Sequence, residues 1–366
     1  SNIDASLIDE VIIGNVSQPA EAANIARVIA LKAGVPENVP AFTVHRNCAS
    51  GMEAITSAAS KINNGEAEII LAGGVESMSN IPLMFNKKME GFFGNLMRSR
   101  KLSQKIATFL SFRPSFLAPI IGLKQGLTDP ISGLMMGSTA ENIANDFKIS
   151  RQEQDKFALE SHKKATKAIE SGIFAEEIIP IYNDDKKSAM IDEDEGVRKK
   201  QSIKDLEKLK PYFDRISGSV TVGNSSQVTD GAAFVLLMSE QVAKKLQKQY
   251  DFEILGYLTD FAYAGMDPSR MGLGPVFATK KLFDKTGKKL DQMDLIEINE
   301  AFAAQVIGCK KAFADKEFCK KNFNMSEPFG KIDDKILNVN GGGVALGHPV
   351  GMSGTRIIIH ALRELK

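Results

Sequence analysis

The chain carries one pattern twice, and that repeat restricts the folds open to it. In the first copy an apolar, strand-like run at 8–14 leads to a helix-like segment at 20–33. A second strand-like run, Ala41-Phe42-Thr43-Val44, then enters His45-Arg46-Asn47-Cys48-Ala49-Ser50-Gly51 ahead of another helix-like stretch. In the second copy the strand-like run is 293–299, the helix-like segment 303–314 and the second strand 336–339. It ends in a glycine-rich loop running from Asn340 through His348 to Ser353-Gly354. Parallel strands need crossover helices and bury both faces, so strand, helix, strand, loop, helix predicts an α/β fold of two similar layered halves.

The copies differ at their outer edges. After Ser50-Gly51 the first continues through a helix to a buried-looking strand at 68–74, whereas the second reaches Lys366 in or just after the matching helix. The second is preceded by a strand at 252–258 and a helix at 275–283, for which nothing before Ser1 is equivalent. The expectation is a fragment short of a structural unit at each end, on the order of tens of residues. The expected organisation is a first half at 1–74, an inserted loop or lid region at 75–220, and at 221–366 the end of the first half with the second half.

Bulk properties exclude several partners. A formal net charge of +1 provides no global field to recruit nucleic acid. Three widely spaced cysteines (Cys48, Cys309, Cys319) form neither a disulfide framework nor a metal-ligand spacing, which points to a reducing compartment. No apolar run approaches the length of a membrane span.

Two residues carry the chemistry. Cys48 lies between a strand and a helix, where the helix N-terminus is expected to lower a thiol's pKa and make it a nucleophile. His348, on its glycine-rich loop, is the natural base for such a thiol. A third run, Asn299-Glu300-Ala301-Phe302-Ala303, follows the strand at 293–299. These three motifs, in this order, resemble those of the thiolase family, enzymes that cleave 3-ketoacyl-CoA with CoA.

The resemblance implies a fold of two duplicated βαβαβ-type halves in five layers, α-β-α-β-α, with an inserted loop domain. It implies that Cys48 attacks the 3-keto carbonyl, that His348 takes the thiol proton, and that Asn299 completes an oxyanion site through a water. The acid that protonates the departing enolate in the family is a second cysteine; Cys309 and Cys319, in helix-like or linker contexts, do not replace it. The expected cofactor is none, with coenzyme A as co-substrate. Segments 209–214 and 221–233 resemble those that hold CoA, with Arg198 at the nucleotide end and Phe213, Ser226 and Phe302 beside the substrate. Many biosynthetic members place a histidine ahead of the Met-Gly that opens the helix near 137. Here the pair is Met135-Met136, so Met136 is expected to face a longer acyl chain.

Between Lys87 and Lys124 stand eight Lys or Arg against one Glu, interleaved with phenylalanines. A basic helix with an apolar face reads as a membrane-surface or partner-helix element; the alternative is a lid whose phenylalanines pack on the core. This insertion looks like that of the thiolase (beta) subunit of the fatty-acid-oxidation multienzyme complex, which implies a hydratase/dehydrogenase alpha subunit as partner and peripheral membrane contact. Asn299 departs from that subgroup, which often has histidine there. Further expectations are a homodimer or tetramer, a cytoplasmic or mitochondrial-matrix location, a cap at Ser138 or Thr139, a helix from Ser150 to about 171, a satisfied His162, and a solvated loop at 183–195. Two other functions remain open: a condensing ketosynthase, and a degenerate subunit that binds acyl-CoA or scaffolds a partner.

Overall fold

The structure is a computed structural model that describes residues 3–183 and 189–366. Its first part runs β1 (Glu10–Gly14), α1 (Ile25–Lys32), β2 (Ala41–Val44), α2 (Ser50–Asn63) and β3 (Ile69–Ser77). The insertion contributes β4 (Leu83–Met84), α3 (Lys87–Arg98), α4 (Leu102–Leu110), β5 (Ile120–Ile121) and α5 (Gly122–Gly126). Next come α6 (Met136–Asp146), α7 (Arg151–Glu170), β6 (Ile181–Asn183), β7 (Ala189–Ile191), α8 (Ile203–Glu207), β8 (Asp230–Met238) and α9 (Glu240–Leu246). The remainder holds α10 (Gly274–Thr286), α11 (Ala303–Ala314), α12 (Lys316–Phe323), α13 (Gly343–Leu346) and α14 (Ser353–Glu364).

The main sheet has four strands in the order β2-β1-β3-β8. β1 pairs in parallel with both β2 and β3, and β8 closes the edge antiparallel to β3. Both faces of β1 are covered, as its unbroken apolar run requires. Val11 and Ile13 pack on Ala26 and Ala30 of α1, while Ile12, with Ile70 and Ala72, packs on Ala54, Ile55 and Ala58 of α2. Each fully buried isoleucine contributes roughly 1.5–3 kcal/mol relative to exposure. On the α2 side Ile358 brings in α14, and the Asn340–Glu364 hydrogen bond sets α14 against the second repeat.

The second repeat departs from expectation. Residues 293–299 and 336–339 form no ladder; one parallel bridge joins Ile296 and Leu337. On the C-terminal side of that bridge Asn338 adopts a φ of 44° and turns the backbone away. Its side chain replaces the next backbone pair, accepting the Ile298 N–H at 2.8 Å and donating to the Ile298 carbonyl at 2.9 Å. Residues 252–258 are likewise not a strand: among the described residues they pair with no neighbour. The helix expected from residue 20 begins at Ile25, because Asn24 caps it and also binds the Ala41 carbonyl and Thr43.

Three other local readings change. α6 starts at Met136, with Thr139 inside the helix donating to the Met136 carbonyl rather than capping. Of the loop expected at 183–195, residues 184–188 lie outside the described set, and their flanks pair as the β6–β7 hairpin. The insertion is built on the helix pair α3 and α4 rather than one helix, around an aromatic cluster of its own, with the short α5 following in the chain. Phe92 meets Phe93, Phe109, Phe112 and Phe116 edge-on, while Met97, Leu102 and Leu110 stay exposed. Ser150 and Glu153 cap α7 reciprocally, as its sequence predicts.

Candidate active site

β2 delivers the chain into a tight turn before α2. Asn47 takes a φ of 47°, a conformation asparagine tolerates better than most residues. The Ser50 hydroxyl locks the turn, accepting the Arg46 N–H at 2.8 Å and donating to the Asn47 carbonyl at 2.7 Å. Cys48 is thereby presented at the helix entry, exposed, while Cys309 and Cys319 are buried. The expected fall in its pKa is overturned: the thiol is pushed up to about 11. Desolvation by the surrounding protein is the main cause and the Glu76 carboxylate adds to it, outweighing its own backbone N–H. In that direction Cys48 rests as a thiol at neutral pH.

His348 and Asn299 come together as the motifs imply, with Asn299 Nδ2 and His348 Nε2 3.3 Å apart. His348 is buried, and burial together with the Arg356 charge drives its pKa down to about 3. It is neutral at pH 7 and free to receive a proton. Asn299 Oδ1 is buried and, among the described residues, has no partner. Beside the pair, Glu300 is buried and accepts from Ser161 at 2.6 Å, Asn338 at 2.9 Å and the Val344 N–H at 3.2 Å. These bonds tie the Asn299 segment to the glycine loop carrying His348. Burial outweighs them and raises the Glu300 pKa.

The cysteine and histidine loops meet through the first turns of α2 and α14. A β-carbon on Gly51 would lie 2.5 Å from Thr355 Oγ1 and 2.9 Å from the Gly351 carbonyl. One on Gly354 would lie 2.7 Å from the Met52 nitrogen. Each helix start thus fits against the other only because its second residue has no side chain. Glu76, buried on β3, ties the histidine loop to the end of β1. It accepts from Asn15 Nδ2 and from the N–H groups of Val16, Ser17 and Gly351 at 2.9–3.2 Å.

The residues expected to hold CoA fall into two groups. Phe302 ends the Asn299 segment, and Phe213 stands edge-on to it at 5.9 Å, with Met136 packed on the same apolar cluster. The Ser226 N–H donates to the Ala301 carbonyl at 2.9 Å, placing Ser226 beside them. Arg198 lies apart, lining a cavity of about 140 Å³ with His162, Lys163, Thr166, Lys167 and Lys199. His162 is buried and satisfied, its Nδ1 accepting the Arg198 N–H at 3.1 Å. Burial and the Arg198 charge push its pKa down to about 4.

Sequence reasoning passed over Glu76, Glu300, Ser353 and Arg356. Glu76 had one signal, an acid ending a strand otherwise apolar or glycine. Arg356, buried in α14, donates to the Gly347 carbonyl at 2.7 Å and so supports the residue before His348.

The profile of the thiolase N-terminal domain matches residues 1–241, and that of the thiolase C-terminal domain matches 252–366. A probable acetyl-CoA acyltransferase of Staphylococcus aureus (strain COL) is 40% identical over 367 residues, an alignment covering 100% of this chain and 83% of the relative. A 3-ketoacyl-CoA thiolase of Pseudoalteromonas translucida is 39% identical, with 100% and 82% covered. Among solved structures, a Bacillus anthracis acetyl-CoA acetyltransferase superposes with a TM-score of 0.83 at 38% identity, covering 99% of this chain and 82% of that one. Human mitochondrial 3-ketoacyl-CoA thiolase in complex with CoA gives 0.81 at 35%, covering 100% and 81%.

Proposed function

The chain belongs to the thiolase family, and from that premise we propose that it cleaves 3-ketoacyl-CoA with CoA to acetyl-CoA and a shortened acyl-CoA. The observation that carries this reading is the Asn299–His348 pair, whose histidine loop packs against the first turn of the Cys48 helix. Cys48 Sγ attacks the 3-keto carbon as its proton passes to the neutral His348. The bond between C2 and C3 breaks, and its electron pair leaves on the acetyl-CoA enolate. The enolate takes up a proton, so the one lost by Cys48 is balanced. CoA then attacks the acyl-Cys48 thioester, and its thiol proton restores Cys48. Because the resting thiol is protonated, His348 must act during attack rather than before it. Asn299 donates toward His348 Nε2 over a long, readily displaced bond and is placed to serve the oxyanion.

CoA is assigned to the two groups described above. The cationic cavity around Arg198 suits its nucleotide phosphates, and Met136, Phe213, Ser226 and Phe302 suit the pantetheine and acyl ends. The apolar Met135-Met136 pair favours a longer acyl chain and degradative β-oxidation over short-chain synthesis. The 75–220 region is assigned as the loop domain over the two halves, and the protein as a dimer or tetramer of the bacterial cytoplasm or mitochondrial matrix. Its basic, phenylalanine-rich insertion is assigned to an anionic membrane surface and to seating an alpha subunit.

The test is incubation with a 3-ketoacyl-CoA and CoA, following acetyl-CoA by mass spectrometry. Acetyl-CoA formed by the wild type and not by Cys48→Ser supports the reading. Substrate left intact, or elongation on an acyl carrier protein instead, overturns it.

A further inference from the structure

We propose that Ser353 is the positioning residue of the reaction, fixing His348 in the tautomer that leaves Nε2 bare toward Asn299. The inference rests on the thiolase reading for its consequence in rate, but its structural content comes from hydrogen-bond accounting alone.

A serine hydroxyl has one proton to give. Ser353 Oγ lies 2.9 Å from the Pro349 carbonyl and 2.6 Å from His348 Nδ1. The carbonyl can only accept, and in the proposed arrangement it takes the hydroxyl proton, alongside the Met352 and Ser353 N–H groups at 3.0 Å. The short contact to the imidazole is then a bond only if Nδ1 carries a proton and donates it to Oγ. A neutral imidazole has one N–H, which leaves the lone pair on Nε2. In that tautomer the bare Nε2 is the acceptor for Asn299 Nδ2, which faces it at 3.3 Å. His348 is held neutral by burial and by the neighbouring Arg356 charge, so the one-proton accounting applies at working pH.

Among the described residues, no other side chain bonds the Ser353 hydroxyl. Ser353 is fully buried at the first position of α14, and its own N–H also turns back to the Pro349 carbonyl at 3.0 Å. Arg356, on the next turn, binds the Gly347 carbonyl. The loop from Gly347 to Ser353 is thus pinned at both ends by α14, with the imidazole held between. Cys48 supplies the sulfur, His348 Nε2 receives its proton, and Ser353 orients the ring, a nucleophile–base–orienter series.

The experiment uses protein labelled with ¹⁵N at its four histidines, the His348 signals being assigned by their loss in His348→Gln. Long-range proton–nitrogen correlation spectra report which ring nitrogen is protonated. The expected result is Nδ1 protonation of His348 in the wild type, and loss of that preference in Ser353→Ala. A kcat lower by roughly a hundredfold or more should accompany it, up to the ~10⁴ a wrong tautomer costs a histidine-assisted nucleophile, with KM within about twofold. A wild-type His348 protonated at Nε2 overturns the proposal. So does a Ser353→Ala protein with unchanged kcat, or one with reduced kcat and the tautomer intact. If Ser353→Ala does not fold, the wild-type spectrum alone decides. If the wild type cleaves no ketoacyl-CoA, the functional reading fails, and the two spectra still decide the role of Ser353.

Discussion

Glu76 Oε2 accepts the Gly351 N–H at 2.9 Å, a bond between groups 275 residues apart in sequence. The same carboxylate holds the Val16 and Ser17 N–H groups at the end of β1. Glu76→Ala would leave buried donors without an acceptor, so the loss should be on the order of 3 kcal/mol. Urea unfolding measures it. A loss below about 0.5 kcal/mol would show that the loops hold their places unaided.

Thiol labelling should follow exposure. Iodoacetamide is expected to modify Cys48 first, with the buried Cys309 and Cys319 slower. Because the Cys48 pKa is raised to about 11, its rate in the free protein should climb through pH 7 to 10 without reaching a plateau. Equal labelling of all three thiols, or a plateau near pH 7, would contradict the structure.

His348→Ala and Asn299→Ala should each lower kcat by roughly a hundredfold or more, the usual cost of removing such a group. Their melting temperatures should change little. Unfolding in place of a rate defect would mark both residues as structural.

Acid stability should reflect His162. Its folded pKa of about 4 lies below the ordinary 6.5, so on acidification the unfolded chain takes up the proton first. The stability it contributes is complete above about pH 6.5 and is lost as pH falls toward 4. The melting-temperature advantage of wild type over His162→Gln should therefore shrink between pH 7.5 and pH 4.5. An advantage independent of pH would mean that His162 is not held neutral.

The insertion should bind anionic vesicles at low ionic strength and release them as salt shortens the Debye length. Changing Arg98, Arg100 and Lys101 to Glu should abolish the binding and leave short-chain thiolysis intact. Co-sedimentation decides it. Wild-type protein that ignores anionic vesicles at low salt would leave α3 and α4 as a lid.

The repeat made the first half readable because β1, β2 and β3 are apolar runs between helices, and their pairing is what buries them. The second half was misread past the Ile296–Leu337 bridge, where Asn338 turns the backbone away and its side chain takes the next pair. Cys48, His348 and Asn299 were legible as candidates from their motifs, and the structure brings His348 and Asn299 together. The Cys48 pKa was not, because its sign turns on the protein mass around the sulfur and on Glu76, neither of which helix placement reveals. Ser353 was legible only as the residue before a glycine, since its role depends on which atoms share a single proton.

The crossing of the two helix starts also limits how the repeats could diverge. Counted back from the Ser-Gly that opens each helix, Cys48 corresponds to Gly351 and His45 to His348. A side chain at Gly351 would run into the Val75 carbonyl at 2.8 Å and into Asn15 and Glu76 at 2.9 Å. The two helix openings share one motif, yet the thiol has room in only one copy. A protein built from two copies of one motif is in this way confined to a single acyl-accepting centre. Copying Cys48 into the second loop would demand a new fit for β3 and the end of β1, rather than one added sulfur.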